Sequence, residues 1–269
     1  MKHIASVSFG KDSLAMLLRL IEEKWPLDEV VFYDTGMEFK AIYLIRDRVK
    51  SLLYEHEIKY TELHPDYSFE WKMFEKPVKE RNGGGTHYGY SWCGGRCRWG
   101  TTDKLRSIEQ YCGDAVQYVG IAADEPARLS KERNGNKRFP LNEWGMTEEN
   151  CLTYCFDHGY DWVEDGGAGE VSLYYILDRV SCWCCCNKNL KELRNIYKYM
   201  PDYWERLKAL QRRTERPMKG PGKSVFDLEA RFQKEIEERE NHDSHKQIRG
   251  AAQALLGRDK RGMDAGVAG

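Results

Sequence analysis

Residues 3–13 read His-Ile-Ala-Ser-Val-Ser-Phe-Gly-Lys-Asp-Ser, a short apolar run followed by a turn with a glycine and a lysine. The apolar residues after this turn recur at the spacing of one helix face: Leu14, Leu17, Leu18 and Ile21. The stretch therefore predicts a buried strand, a turn and an amphipathic helix. At such a junction, free backbone N–H groups and the positive end of the helix dipole point at one place, which suits a phosphate group.

The side chains of this turn also suit an anion. Gly10 allows the backbone to approach closely, Lys11 supplies a positive charge, and the hydroxyls of Ser8 and Ser13 are donors. The turn is not a Walker A loop, because the first glycine and the final Ser/Thr of that motif are both missing. The alternative interpretation is an ordinary strand-to-helix turn in which Asp12 or Ser13 caps the helix.

The chain continues to alternate between strands and helices. Residues 30–33 and 58–63 are predicted strands, residues 40–56 form a predicted helix between them, and residues 115–121 form a later strand. Strands that alternate with helices are joined by right-handed crossovers. We therefore expect an α/β fold with a twisted parallel sheet, helices on both of its faces, and a helical C-terminal region.

Composition divides the chain and excludes some classes. Residues 1–211 are predicted to form one nucleotide-binding domain, with an insertion at 65–100 and a cysteine group at 182–186. Residues 212–224 form a predicted linker, and 225–269 a helix and tail. No run approaches the roughly 20 apolar residues of a membrane-spanning helix, and no signal-peptide pattern opens the sequence, so we expect a cytoplasmic protein.

The 42 basic and 43 acidic residues nearly cancel, so net charge gives no general attraction to nucleic acid. A local basic group surrounds the predicted linker: Arg212, Arg213, Arg216, Lys219 and Lys223. It is either a solvated linker or a contact for nucleic-acid phosphates.

Four of the nine cysteines fall within residues 182–186. Cys182 and Cys185 form a C-x-x-C pair, and Cys93 and Cys97 form a second pair far away in the sequence. Four thiolates suit either a tetrahedral zinc or a [4Fe–4S] cluster, and spacing leaves both open. Cys184 and Cys186 could replace a neighbour as ligands. Cys151 and Cys155, four residues apart on a predicted helix, are expected to pack in the core.

The first of these motifs resembles a known family. Residues 8–17 resemble the PP-loop of the adenine nucleotide alpha hydrolase superfamily, and within it the phosphoadenosine-phosphosulfate (PAPS) reductase family. Residues 34–36, Asp-Thr-Gly, are similar to its second motif, and residues 120–128 to its later Gly-x-x-x-x-Glu…Arg segment. The chain looks most like members that bind an iron–sulfur cluster and transfer sulfur, including those that place phosphorothioate in DNA. That resemblance favours [4Fe–4S] over zinc.

The resemblance implies that an adenine nucleotide binds across the carboxyl ends of the sheet. The residues that it assigns to the nucleotide are Ser8, Gly10, Lys11, Asp12, Ser13, Asp34, Gly36, Gly120 and Arg128. Lys11, Asp12 and Arg128 are the expected catalytic residues, and Asp12 also helps to carry Mg²⁺. Two simpler roles stay open: Asp34 as a helix cap and Arg128 as a surface charge.

Three functions follow. The leading hypothesis is an enzyme that cleaves ATP between its α and β phosphates, adenylates a substrate, and transfers sulfur at a cluster bound by Cys93, Cys97, Cys182 and Cys185. The second is a reductase of adenylyl sulfate or PAPS that releases sulfite. Against the reductase, no cysteine follows Cys186, so the chain lacks the Glu-Cys-Gly-Leu-His tail motif that supplies the nucleophile in such reductases. The third is a zinc-stabilised nucleotide sensor or nucleic-acid-binding protein. The acceptor (nucleic acid or small molecule), a sulfur-donor protein and the oligomeric state stay open.

Overall fold

The computed structural model describes residues 1–80, 83–95, 97–131 and 135–238. Its first part follows the predicted alternation. The elements there are β1 (His3–Ser6), α1 (Lys11–Glu22), β2 (Glu29–Tyr33), α2 (Lys40–Glu55) and β3 (Lys59–Leu63). The predicted tail after residue 238 lies outside the described residues.

The rest of the described chain has short strands and mostly longer helices. The strands are β4 (Pro77–Lys79), β5 (Thr86–Tyr88), β6 (Val116–Val119), β7 (Lys137–Arg138), β8 (Val163–Asp165) and β9 (Glu170–Ser172). The helices are α3 (Lys104–Cys112), α4 (Pro126–Leu129), α5 (Pro140–Glu143), α6 (Glu148–Asp157), α7 (Leu173–Ile176), α8 (Leu190–Tyr199), α9 (Pro201–Arg212) and α10 (225–238). Single π-helical turns occupy Trp71–Glu75 and Arg98–Asp103.

Five strands form one sheet in the order β3-β2-β1-β6-β7, and every neighbouring pair is parallel. Two antiparallel hairpins, β4–β5 and β8–β9, lie outside it. Because all strands of a parallel sheet point the same way, β1, β2 and β6 end at one edge. The predicted phosphate loop (residues 8–13), the Asp34–Gly36 turn and Gly120 follow these three strands, so the fold brings the three predicted motifs to that edge.

Alternating side chains of β2 show that both faces of the sheet are covered. Val30 and Phe32 lie in the core shared with α1 and α2, whereas Val31 and Tyr33 lie in a second core with Ile108 of α3. Strand residues that alternate between two apolar layers are typical of a buried parallel sheet. The predicted α/β class with helices on both faces is therefore confirmed.

The C-terminal part of the described chain is helical. Trp204 of α9 packs against Tyr197 of α8 and Phe232 of α10, with ring centroids 5.3 and 5.9 Å away. In α10 the side chains of Val225, Leu228 and Phe232 are buried, whereas that of Phe226 is 40% exposed. No helix within the described ranges has the length and apolar character to cross a membrane.

Candidate nucleotide site and cysteine site

The phosphate loop is fixed by the residue at its centre. Phe9 has a positive φ of 58°, and its ring is fully buried beside Phe32. Its carbonyl accepts a hydrogen bond of 2.7 Å from Trp162 Nε1. A left-handed conformation costs a non-glycine residue roughly 1–2 kcal/mol, which burial of the ring offsets. The chain therefore turns sharply between β1 and α1.

Polar groups of the loop converge at the start of α1. Gly10 is the N-cap residue and has extended backbone. Because glycine has no side chain, it makes no side-chain hydrogen bond to the helix. Ser13 Oγ accepts a hydrogen bond of 3.1 Å from Ser8 N and lies 3.1 Å from Ser8 Oγ. The structure thus brings Ser8, Gly10 and Ser13 together.

Gly120 lies directly against this loop. A Cβ atom built on it would be 3.0 Å from Ser13 Cα and 3.1 Å from Ser13 N. Both contacts are with backbone that cannot move without shifting α1. A glycine is therefore required where β6 ends, and Gly120 acts by letting the sheet edge approach the loop.

Lys11 is nearly buried and is held by two carboxylates. Its Nζ lies 2.8 Å from Asp12 Oδ1 and 2.5 Å from Glu148 Oε2. Burial by itself would lower the pKa of Lys11, but the two carboxylates outweigh it and the pKa is raised. Burial raises the pKa of Asp12, and the charges of Glu148 and Glu125 add to that rise while Lys11 opposes it. The loop thus holds a protonated lysine between the carboxylates of Asp12 and Glu148.

Sequence reasoning missed two residues of this site. The first is Glu148, which begins α6. The second is Tyr174 in α7, and the hydroxyl of this tyrosine accepts a hydrogen bond of 2.8 Å from Lys11 N. That hydroxyl would also lie 3.3 Å from a Cβ built on Gly10. Neither residue has a motif of its own. The local sequence offers one signal, because a threonine at position 147 is a typical N-cap residue and places Glu148 in the first turn of a helix.

Arg128 lies apart from the loop. Its side chain is 48% exposed, and its guanidinium pairs with Glu125 at 3.1 Å. Within the described residues, no hydrogen bond or ion pair joins it to residues 8–13. Its expected catalytic role therefore stays a prediction that needs the α4 turn to move or the ligand to reach outward.

The Asp34–Gly36 turn lies between the carboxyl edge of the sheet and the cysteines. Asp34 Oδ1 accepts hydrogen bonds of 2.8 Å from Gly36 N and from Tyr43 OH, and Gly36 takes a positive φ of 75°. Between them, Thr35 Oγ1 lies 3.5 Å from Cys182 Sγ. Trp183 N donates to Met37 O at 3.0 Å, so the cysteine loop docks on this turn through its backbone as well.

The two predicted cysteine pairs come together in space. A Cβ atom built on Gly100 would lie 3.5 Å from Cys97 Sγ and 3.9 Å from Cys182 Sγ, so a glycine leaves both sulfurs room. Cys186 Sγ donates to the carbonyl of Cys93 at 2.8 Å. The loops of residues 93–97 and 182–186 therefore form one cysteine site from two distant parts of the chain.

Burial separates the four cysteines of the second loop. Cys184 and Cys186 are buried, whereas Cys182 and Cys185 are partly exposed, as are Cys93 and Cys97. Burial raises the pKa of Cys182 and of Cys93 above that of an ordinary thiol. A metal that binds these thiols would have to displace their protons. The thiols that the two adjacent loops carry are soft donors, the ligand type that iron–sulfur clusters and zinc take.

The segment predicted as a linker packs on this site. Lys219 Nζ donates to the carbonyls of Cys186, at 2.7 Å, and of Lys188, at 2.8 Å. Ser91 Oγ and Thr214 Oγ1 lie 2.6 Å apart. Arg213 pairs with Glu70 and lies over the ring of Phe74. At least these two basic side chains therefore have protein partners, which weakens the interpretation of the basic group as a nucleic-acid contact.

Three further cysteines are buried in the core, which was predicted for Cys151 and Cys155. Cys151 and Cys155 are fully buried in α6, and Cys155 Sγ donates to Lys11 O at 3.4 Å. Cys112 is buried in the second core beside β1 and β2.

A family model, the phosphoadenosine phosphosulfate reductase domain, matches residues 2–156, more than half of the chain. The chain belongs to that family. The resemblance inferred from the phosphate loop is thereby confirmed. The match includes the loop, the Asp34–Gly36 turn and Cys93 and Cys97, whereas Tyr174 and residues 182–186 lie beyond it.

Two further likenesses are weaker. An uncharacterized protein from Methanocaldococcus jannaschii is 27% identical over 207 residues, which are 76% of this chain and 40% of that protein. The chain thus spans about two fifths of the length of this relative. The solved structure of the U34-tRNA thiolase NcsA from Methanococcus maripaludis, with its [4Fe–4S] cluster, covers 88% of this chain and 72% of its own. It has 17% identity and a TM-score of 0.38.

Proposed function

We propose that this protein binds ATP with Mg²⁺ at the phosphate loop, cleaves it between the α and β phosphates to adenylate an acceptor, and transfers sulfur at the cysteine site. One observation carries the link between the two parts. Thr35 Oγ1, in a turn assigned to the nucleotide, lies 3.5 Å from Cys182 Sγ. An activated acceptor held at this turn would lie beside the thiols without any domain movement.

Residues of the loop would act on the phosphates. The Lys11 ammonium group and the positive end of the α1 dipole would neutralise the pyrophosphate that leaves, and the hydroxyls of Ser8 and Ser13 would donate hydrogen bonds to it. Asp12 and Glu148, which face Lys11 from two helices, would carry Mg²⁺ with its waters. Tyr174 would keep the first N–H of the helix oriented.

Cys93, Cys97, Cys182 and Cys185 would hold the metal group. These four are the partly exposed thiols of the two loops, whereas Cys184 and Cys186 are buried. A [4Fe–4S] cluster, when bound, supplies iron that coordinates sulfur. The chain's own residues shape its surroundings, because the buried rings of Trp92 and Trp183 limit the access of water.

Pyrophosphate release tests the nucleotide part. We expect Lys11→Ala to abolish release of pyrophosphate from ATP, because the charge that neutralises the leaving group is lost. Lys24→Ala is the matched control, since Lys24 is an exposed lysine just beyond the other end of α1. Release that is unchanged in Lys11→Ala would refute the proposal.

Metal analysis of protein purified without oxygen tests the cysteine part. About four irons and equivalent sulfide, lost in Cys182→Ala and retained in Cys112→Ala, would support a cluster. One zinc and no iron would make the cysteines a structural clamp and favour a nucleotide-binding protein without sulfur chemistry.

The family match favours one alternative reaction, reduction of adenylyl sulfate or PAPS. Release of sulfite in the presence of a dithiol donor such as thioredoxin, without release of pyrophosphate from ATP, would establish it in place of adenylation.

A further inference from the structure

A group of side chains of the types that bind metals, none of them a cysteine, lies where β2 and β3 end. Asp34 follows β2, Glu62 lies near the end of β3, and His64 follows it. One ligand atom from each of the three lies within 4.8 Å of the other two. Two carboxylates and an imidazole are a mixed oxygen and nitrogen donor set, which suits divalent first-row metals and differs from the soft thiols nearby.

Strand register explains why the three residues meet. In the parallel pair, Phe32 lies opposite Glu62 and Tyr33 opposite Leu63. Asp34 N then donates to Leu63 O at 2.9 Å, which continues the ladder by one residue. The group therefore lies at the carboxyl edge of the sheet, where open parallel sheets bind ligands.

Two tyrosines outside the group orient its carboxylates. Tyr43 OH donates to Asp34 Oδ1 at 2.8 Å, and Tyr60 OH donates to Glu62 Oε2 at 2.5 Å. Each bond holds one oxygen of its carboxylate in place, as the outer partners of metal ligands do.

The charges of the group leave room for a cation. Arg46 NH1 lies 3.5 Å from both oxygens of Glu62, at the outer limit of a hydrogen bond, while its Nε donates to Asp47 at 2.9 Å. Two carboxylates and one guanidinium leave a net negative charge. His64 is 60% exposed, and its Nε2 lies 3.4 Å from Glu62 Oε1, so the group is open to solvent on that side.

We propose that Asp34, Glu62 and His64 bind one divalent metal ion of the Mn²⁺, Fe²⁺ or Zn²⁺ type. Three protein ligands leave coordination positions for water or for an anionic oxygen of a ligand at this edge. The ion would lie one residue from Thr35, and hence beside the cysteine site. The proposal stands without the adenylation chemistry, because its only shared residue is Asp34.

Manganese binding to the full chain, without nucleotide, tests the proposal. The electron paramagnetic resonance signal of free Mn²⁺ disappears on binding, and thiols are poor ligands for this ion. We expect one site whose affinity falls more than about tenfold in Glu62→Gln and in His64→Ala. Tyr60→Phe should weaken it about tenfold through loss of orientation. His56→Ala, which changes an exposed histidine after α2, is the matched control and should not alter binding.

The direction in which one further variant changes Mn²⁺ affinity distinguishes metal binding from a structural ion pair. Arg46→Gln should tighten Mn²⁺ binding, because it removes a competing cation. Binding that survives both Glu62→Gln and His64→Ala would overturn the proposal. So would binding that is lost in Asp12→Asn and kept in Glu62→Gln, since the ion would then lie at the phosphate loop. The pyrophosphate assay with Lys11→Ala fails or succeeds independently of these results.

Discussion

Lys11 Nζ lies 2.5 Å from Glu148 Oε2, so the cation of the phosphate loop is held by a carboxylate that comes 137 residues later in the chain. Asp12 holds the same ammonium group from the other side. The loop therefore combines backbone donors that attract an anion with carboxylates that repel it. A divalent cation between the phosphates and the carboxylates would reconcile the two.

Removing the charge of Glu148 should strengthen the binding of an anion in the absence of divalent cations. We expect Glu148→Gln to bind pyrophosphate about three- to tenfold more tightly in calorimetry with a chelator present, the size of a partly exposed ion pair. The difference should shrink at high salt. Glu149→Gln, an exposed neighbour on the same helix, should behave like the wild type. Weaker binding in Glu148→Gln would mean that this carboxylate organises the loop.

A methyl group at Gly120 should damage the loop. Gly120→Ala would place a Cβ 3.0 Å from Ser13 Cα, so α1 must shift or the backbone must strain. We expect a loss of about 1–3 kcal/mol in the free energy of unfolding and weaker nucleotide binding. Chemical denaturation and calorimetry measure the two effects. Gly135→Ala is the control, because a Cβ there meets nothing within 4 Å. Equal behaviour of the two variants would refute the close approach.

Lys219 should keep the cysteine loop in place. Its ammonium group donates to two carbonyls of residues 186 and 188, and Lys219→Met would leave both without that donor. We expect the thiols of the cysteine site to react faster with a disulfide reagent, and anaerobically purified protein to retain less metal. Lys223→Met changes an exposed lysine four residues on and should alter neither quantity. Unchanged thiol reactivity in Lys219→Met would count against this role.

Glu29 should make the fold sensitive to acid. The side chain is fully buried in β2. Burial raises its pKa, but hydrogen bonds from Lys2, Thr61, Tyr111 and Lys59 outweigh burial and lower the pKa to about 2. Since the folded pKa lies below the unfolded value of 4.5, the stabilisation is present above pH 4.5 and is lost as pH falls toward 2. It is on the order of 3 kcal/mol.

Urea unfolding of wild type and Glu29→Gln at several acidic pH values measures this effect. The variant should be less stable at pH 7 and should lose less stability between pH 5 and pH 3. Glu57→Gln, an exposed control, should follow the wild-type curve. Parallel curves for wild type and Glu29→Gln would contradict the assigned pKa.

Local patterns predict the parts of the fold whose residues are close in sequence. The strand, glycine turn and helix around residues 3–21 could be predicted because apolar spacing and backbone freedom act within one or two turns. The cap at Thr147 is predictable for the same reason, and its hydroxyl accepts from Asn150 N. The two-residue strand β7 is too short to leave a periodic pattern.

Tertiary contacts decide what the sequence does not predict. Tyr174 reaches Lys11 N across 163 residues, and nothing in its local sequence marks a tyrosine for that contact. Glu148 is an ordinary first-turn glutamate until α6 packs on α1. The cysteine pairs are predictable as candidate ligands from composition, but their common site depends on how the loop at 182–186 docks on the turn at Asp34–Gly36.

The phosphate loop is completed by residues from the second half of the chain. Trp162 holds the carbonyl of Phe9, Tyr174 accepts from Lys11, and both lie beyond residue 156, where the family match ends. The recognisable portion is thus not a self-sufficient module. A fragment that ends at residue 156 would lack Trp162, and it would lack Cys182 and Cys185, two of the four proposed metal ligands. Grafting the loop sequence alone onto another scaffold would transfer the motif without the contacts from Trp162 and Tyr174 that fix its conformation.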